Sequence, residues 1–348
     1  MEPTTGRDAG AKVVVDPPGT SHVDATGRVT MSRRVAPAVG LFLLAPLVAE
    51  YLLGNFPIGK IPALVVLAPM YGGGALLIRE VARRTGRGWP TIVLLALAYG
   101  VLEPGLLDNS MFNPAFQGHD FRDATWIPVL GISAGNTLAF TVGHAIWSIS
   151  IPIALVETFV PYRRTTPWLG KIGLSATGVL FLFGCVAIFR WAQKAEQFLP
   201  SVPQMIATAA VVVALIVAAF AVGRIPLPGV DRRAPNPWFV GVLAFVASSL
   251  FFARSESWPG VAFGVSLIVA MTGLIVRWSS CEGWGVAHRL ALAGGALMTY
   301  AWGGFVLSAL ILGRTDAVDL IGNALFALGA LALLYAATRT VHKTKGSK

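Results

Sequence analysis

This sequence predicts an all-α polytopic transmembrane helix bundle of about ten helices with both termini cytoplasmic, and three observations carry the prediction. From Val35 to Arg339 the chain is a succession of apolar runs, each of roughly 18–24 residues and so long enough to cross a hydrocarbon core of about 30 Å as a helix. Apolar residues make up 55% of the 348 positions and charged residues 13%, against about a quarter charged in soluble domains. Lys and Arg divide unequally between the two sides that the runs define, with 21 of the 27 on one of them.

The runs place helices at about 35–53, 61–78, 90–107, 131–159, 171–190, 203–223, 237–253, 259–276, 288–312 and 318–338. The first follows a polar segment, 1–34, that lacks the apolar stretch of a signal peptide. A disordered cytoplasmic tail is expected there, with the first helix itself directing insertion. The second helix ends before the cluster Arg79, Arg83, Arg84 and Arg87, and the third begins behind Trp89. The connector 108–126 is polar and aromatic and leads into the fourth helix, which stops short of Arg163 and Arg164. Trp126, Trp168, Trp191, Trp238, Trp258, Trp278 and Trp284 mark further helix ends, where an amphipathic ring prefers the headgroup level. Trp147 and Trp302 lie within helices. The domain reading is a tail at 1–34, a transmembrane bundle at 35–338 and a basic cytoplasmic tail at 339–348.

The six Lys and Arg on the sparse side are Lys60, Arg122, Arg190, Lys194, Arg254 and Arg314. Positive residues are retained in the cytoplasm during insertion, so the rich side, which holds both termini, is the cytoplasmic one. The net charge of +10 thus reports topology and attraction to anionic headgroups of the bilayer, the expected partner, and nothing in its distribution calls for nucleic acid. Cys185 and Cys281 fall on opposite sides and are not expected to pair. The Ala, Gly and Arg bias, with no organelle signal, fits a bacterial plasma membrane.

Proline divides the bundle. Pro46, Pro69, Pro104 and Pro152 each interrupt one of the first four helices, and the last six contain no interior proline. A proline frees a carbonyl that in lipid must find protein or water, so the bent helices should form the packed centre. Gly72-Gly73-Gly74 in the second helix suits close backbone approach. No five-plus-five repeat, the mark of many transporters, aligns the two halves.

The same half holds the intramembrane ionisable groups, and such groups point to function by default. Glu103 sits two-thirds along the third helix beside Pro104, and at that depth a carboxylate must be protonated, paired or wetted. His144 is central in the fourth helix, where Asn136, Phe140, His144 and Ser148 share one broad face at four-residue spacing. Glu50, one turn after Pro46, either joins Glu103, Asp108 and Asn109 in an outward-facing polar cluster or reaches the interface as a snorkelling carboxylate. Glu157 lies 13 residues past His144, about 20 Å along the axis, where an exposed ion pair with Arg163 and Arg164 is expected. His288 reads as interfacial. No close-spaced ligand pair of the zinc type is present, so no metal and no cofactor is assigned. Glu103 and His144 are the candidate catalytic pair, and Glu50, Asp108, Asn109 and Asn136 the candidate binding residues.

Phe140-Thr-Val-Gly-His144 reads as FxxxH, and Glu103 precedes His144 by 41 residues on the previous helix. This resembles part of the CPBP group of intramembrane glutamic proteases, which includes CAAX-processing enzymes. The resemblance implies Glu103 as general base and His144 as the group that orients water or stabilises the oxyanion. It covers about 45 residues; Pro104 stands where the family's EExxxR motif continues, and no third motif supplies a second His and an Asn. A membrane-embedded hydrolase is the favoured reading, beside a proton-coupled transporter and a non-catalytic membrane partner.

Overall fold

The computed structural model describes residues 31–222 and 230–346, so all but the last residues of the expected amino-terminal tail lie outside the described residues. Ten helices follow one another: α1 (Val35–Leu52), α2 (Ile58–Arg84), α3 (Trp89–Leu107), α4 (Ala134–Phe159), α5 (Lys171–Glu196), α6 (Val202–Val222), α7 (Pro237–Phe252), α8 (Trp258–Ser279), α9 (Val286–Ile311) and α10 (Ala317–Thr344). Among the described residues nine are long and apolar enough to cross a membrane, and the tenth, α7, is apolar but 16 residues long. The chain is therefore an all-α polytopic bundle. Its strands are confined to connectors: β1 (Trp126–Ile127) pairs antiparallel with β2 (Ile132–Ser133), and β3 (Val230–Arg233) lies parallel to β4 (Cys281–Glu282).

The bent helices do form the centre. More than half of the apolar 18-residue stretch of each of α1, α2, α3, α4 and α9 is buried inside the protein, against 11% of that stretch in α6 and in α8, which turn their apolar sides outward. One apolar core joins α1 to α5 through Leu41, Ile92, Ile149 and Ile153. A second joins α4 to α7, α9 and α10, where Trp147 stacks on Tyr300 at 4.4 Å and donates its indole N–H to the Ala296 carbonyl at 2.8 Å.

Pro46, Pro69, Pro104 and Pro152 each accompany a π-turn, a turn one residue wider than the α-helical one. Pro46 precedes Leu47–Leu52, Pro69 lies in Ala68–Gly72, Pro104 lies in Glu103–Leu107, and Pro152 follows His144–Ser150. Proline cannot complete the regular ladder, and the helix accommodates it by widening. A fifth π-turn, Leu307–Ile311 in α9, has no proline.

Two glycines set how closely these helices meet. A Cβ on Gly72 of α2 would run into the Phe42 carbonyl of α1, and one on Gly100 of α3 would run into the Thr141 carbonyl of α4. Gly100 is one turn before Glu103, and Thr141 one turn before His144, so this approach brings the two residues together. Gly100→Ala is expected to force α3 from α4 at a cost of about 1–3 kcal/mol, read as a lower thermal midpoint of the protein in detergent. An unchanged midpoint would mean that the contact is slack.

Several residues depart from the sequence expectation. α2 continues past 78 to Arg84, so that Arg79, Glu80 and Arg83 belong to a helix and are buried. Glu157, expected in an exposed pair with Arg163 and Arg164, is instead buried against Arg79 and Arg83. The expectation failed because a helix end next to a basic connector looks solvated when its neighbours are unknown. Trp168, expected at the interface, lies beneath Arg79. His288 is buried as well, bonding the Pro235 carbonyl at 2.8 Å and stacking on Trp284.

Candidate functional site

The π-turns of α1 to α4 carry Glu50, Tyr71, Glu103 and His144, and the structure brings these four side chains together. His144 is the hub. Its Nδ1 lies 2.7 Å from the Phe140 carbonyl, an atom that can only accept, so Nδ1 carries a proton. Its Nε2 lies 3.1 Å from Glu103 Oε2 and 3.2 Å from Tyr71 Oη. Tyr71 Oη in turn donates to Glu50 Oε1 at 2.5 Å, and the Asn55 amide donates to Glu50 Oε2 at 2.6 Å.

Proton bookkeeping along this line is restrictive. Tyr71 has one hydroxyl proton, and the short contact commits it to Glu50. Nε2 can then bond Tyr71 Oη only as a donor, which makes His144 an imidazolium facing the Glu103 carboxylate; otherwise Glu103 holds the proton and presents it to Nε2. Two carboxyl groups, a phenol and an imidazole therefore share two mobile protons. The Tyr71 ring stacks on the imidazole at 5.8 Å with an interplanar angle of 4°, which fixes the imidazole plane. Phe140 thus enters through its carbonyl, as the tautomer-setting acceptor.

Glu103 is 2% exposed, and its Oε2 has the ion-pair distance to His144 without the alignment of a hydrogen bond to any group among the described residues. Tyr99 Oη and Asn109 Nδ2 are likewise buried without a hydrogen-bond partner among the described residues. Tyr99 is one turn before Glu103 on α3, with its ring 6.3 Å from that of His144. Buried polar groups are nearly always satisfied, and exceptions gather where water or substrate is handled.

The remaining candidates fall on both sides of this line. Glu50 belongs to it: it is buried, so it is not a snorkelling interfacial carboxylate. Asp108 caps the end of α3, accepting from the Ser110 backbone N–H at 2.9 Å, and desolvation together with the Glu103 charge pushes its carboxyl well above the usual range. Asn109 follows in the left-handed conformation (φ 62°), which Asn tolerates. Asn136 stands apart: its amide reaches Ser133 Oγ at 3.2 Å and Asp123 Oδ2 at 3.4 Å in the cap of α4. Among the described residues no three His, Cys, Asp or Glu side chains are placed to hold a metal ion.

Tyr71, Asn55 and Tyr99 were not singled out by the sequence. The available signal for Tyr71 was its place two residues after Pro69, in the same proline-marked half. The loop carrying Asn55 is held from afar, because the Arg314 guanidinium donates to the carbonyls of Gly54 and Asn55. Tyr71→Phe keeps the ring and deletes the hydroxyl that joins Glu50 to His144. It is expected to destabilise the protein by about 1–3 kcal/mol, since Glu50 loses a buried donor, and to shift the Nε2 nitrogen resonance of His144. A resonance that stays put would remove Tyr71 from the line.

The model of an uncharacterized membrane protein family matches residues 40–342, and the chain belongs to that family. No curated protein and no solved structure matches it.

Proposed function

We propose that this member of a multi-pass membrane family is a membrane-embedded hydrolase of the intramembrane-protease kind, working in a bacterial plasma membrane. The observation that carries the reading is Glu103 Oε2, buried, 3.1 Å from His144 Nε2 and without a hydrogen-bonded partner among the described residues. In the reaction, Glu103 takes a proton from water as the water oxygen attacks a carbonyl carbon. The imidazolium of His144 offers Nε2–H to the developing oxyanion, and the proton held by Glu103 passes to the leaving group as the scissile bond breaks. Tyr71 and the Phe140 carbonyl hold the imidazole in the orientation this requires. The weak resemblance to CPBP proteases supports the same two roles.

A second reading is favoured by one specific contact, the 2.5 Å bond from Tyr71 to Glu50. It extends the line to a second carboxyl, as a proton relay of a coupled transporter would. The two readings separate without knowledge of the substrate. Membranes from cells producing the wild type and a Glu103→Gln, His144→Gln double variant are compared for new peptide termini and lipid fragments. Fragments that appear only with the wild type support the hydrolase; identical profiles sink it and leave the relay.

A further inference from the structure

At the carboxy-terminal end of α2, beyond Tyr71 at its middle, lies a second polar cluster, independent of Glu103 and His144. Arg79 and Glu80 are fully buried. Arg79 gives Nε to Glu157 at 3.1 Å, Nη1 to Glu80 at 2.7 Å and Nη2 to the carbonyls of Arg163 and Arg164, and lies 3.5 Å over the Trp168 ring. Arg83 gives Nε and Nη2 to Glu157 at 2.9 and 2.7 Å, and Nη1 to the Arg87 carbonyl at 3.2 Å. Glu80 is further engaged by the backbone N–H groups of Trp168 and Leu169 and by Arg84 at 3.4 Å.

Both carboxylates of the cluster are thus fully used by Arg79, Arg83 and Arg84. Arg87 is left over. It is 7% exposed, yet among the described residues its Nε and Nη1 have no hydrogen-bond partner, and its guanidinium contacts the Phe220 ring at 5.0 Å. The turn around it is fixed: Gly86 adopts φ 67°, the Arg87 N–H donates to the Ala82 carbonyl at 2.8 Å, and Arg83 holds the Arg87 carbonyl. A buried guanidinium without a counter-charge among the described residues calls for an anion from elsewhere. Its planar fork of N–H donors matches a tetrahedral oxyanion, and this is the end of the bundle rich in Lys and Arg, where anionic headgroups gather.

We propose that the α2–α3 turn is a binding site for a phosphate group, centred on Arg87. The phosphate comes either from the headgroup of an anionic lipid or from free phosphate. The test follows the thermal midpoint of the full-length protein in neutral detergent, titrated separately with phosphatidylglycerol and with inorganic phosphate. Wild type is expected to be stabilised by saturable binding, and Arg87→Gln to need about tenfold more ligand for the same rise. Arg277→Gln, which removes an exposed arginine at the same end of the bundle, is expected to respond as the wild type does. A response to phosphatidylglycerol alone assigns the site to a lipid headgroup; a response to inorganic phosphate assigns it to the free anion. No rise with either ligand, or equal responses of wild type and Arg87→Gln, overturns the proposal. If Arg87→Gln does not fold, Arg87→Lys keeps the charge without the fork and should bind several-fold more weakly; an unchanged half-saturation then overturns it.

Discussion

Replacing Glu103 by Gln is expected to lower hydrolysis by about 10²–10⁴-fold, the usual contribution of a positioned general base, with little change in thermal midpoint. Gln is nearly isosteric, and its amide can still lie beside His144, so the packing of α3 against α4 survives while the proton acceptor is lost. The measurement is the rate of appearance of the fragments that distinguish wild type from inactive protein, taken with the unfolding midpoint of each variant. Activity within about threefold of wild type would remove Glu103 from the chemistry. A lost midpoint would show instead that the carboxylate holds helices together, as the third reading, a non-catalytic membrane partner, requires. Glu50→Gln adds a contrast: the hydrolase tolerates it better than Glu103→Gln, whereas a proton relay loses both ends alike.

The largest effect on stability is expected at the other cluster. Glu157→Ala removes the carboxylate that accepts three hydrogen bonds from Arg79 and Arg83 and leaves two guanidinium groups short of charge in a buried site. Removing one partner of a buried ion pair costs about 3–5 kcal/mol, which should appear as a large fall in unfolding midpoint. Replacing the whole cluster by apolar side chains of similar volume would cost far less, because no charge is then stranded. A loss below about 1 kcal/mol for Glu157→Ala would place the pair in the class of solvated surface bridges.

Much of the architecture was legible because lipid imposes length and apolarity on every crossing. Helix positions followed from run length and flanking charge, and even α7, the short one, begins at the expected residue. Glu103 and His144 were legible for the same reason: an ionisable group in a long apolar run stands out without any knowledge of its neighbours. Tyr71 was hidden, since a tyrosine in a membrane helix is unremarkable until its hydroxyl is seen between a carboxyl and an imidazole. The arginine cluster misled in the opposite direction. Arg79 and Arg83 were read as connector residues because their counter-ion, Glu157, lies more than 70 positions away in sequence and meets them only through folding. Asn136 shared a helical face with His144, but a cap one turn into α4 claimed it first.

The widened turns have a consequence for how this protein tolerates change. Each holds one residue more than a regular helix needs, and because the wider turn absorbs that residue, deleting it would restore ordinary winding and leave the flanking half-helices in nearly the same phase. In α3 or α4 a deletion outside the widened turn has no such slack: it would rotate everything beyond it by about 100° and separate Glu103 from His144 without altering either. Polar groups on these helices are therefore set by phase as much as by identity, and a single-residue deletion within 47–52, 68–72, 103–107 or 144–150 should be tolerated better than one in the regular turns beside it.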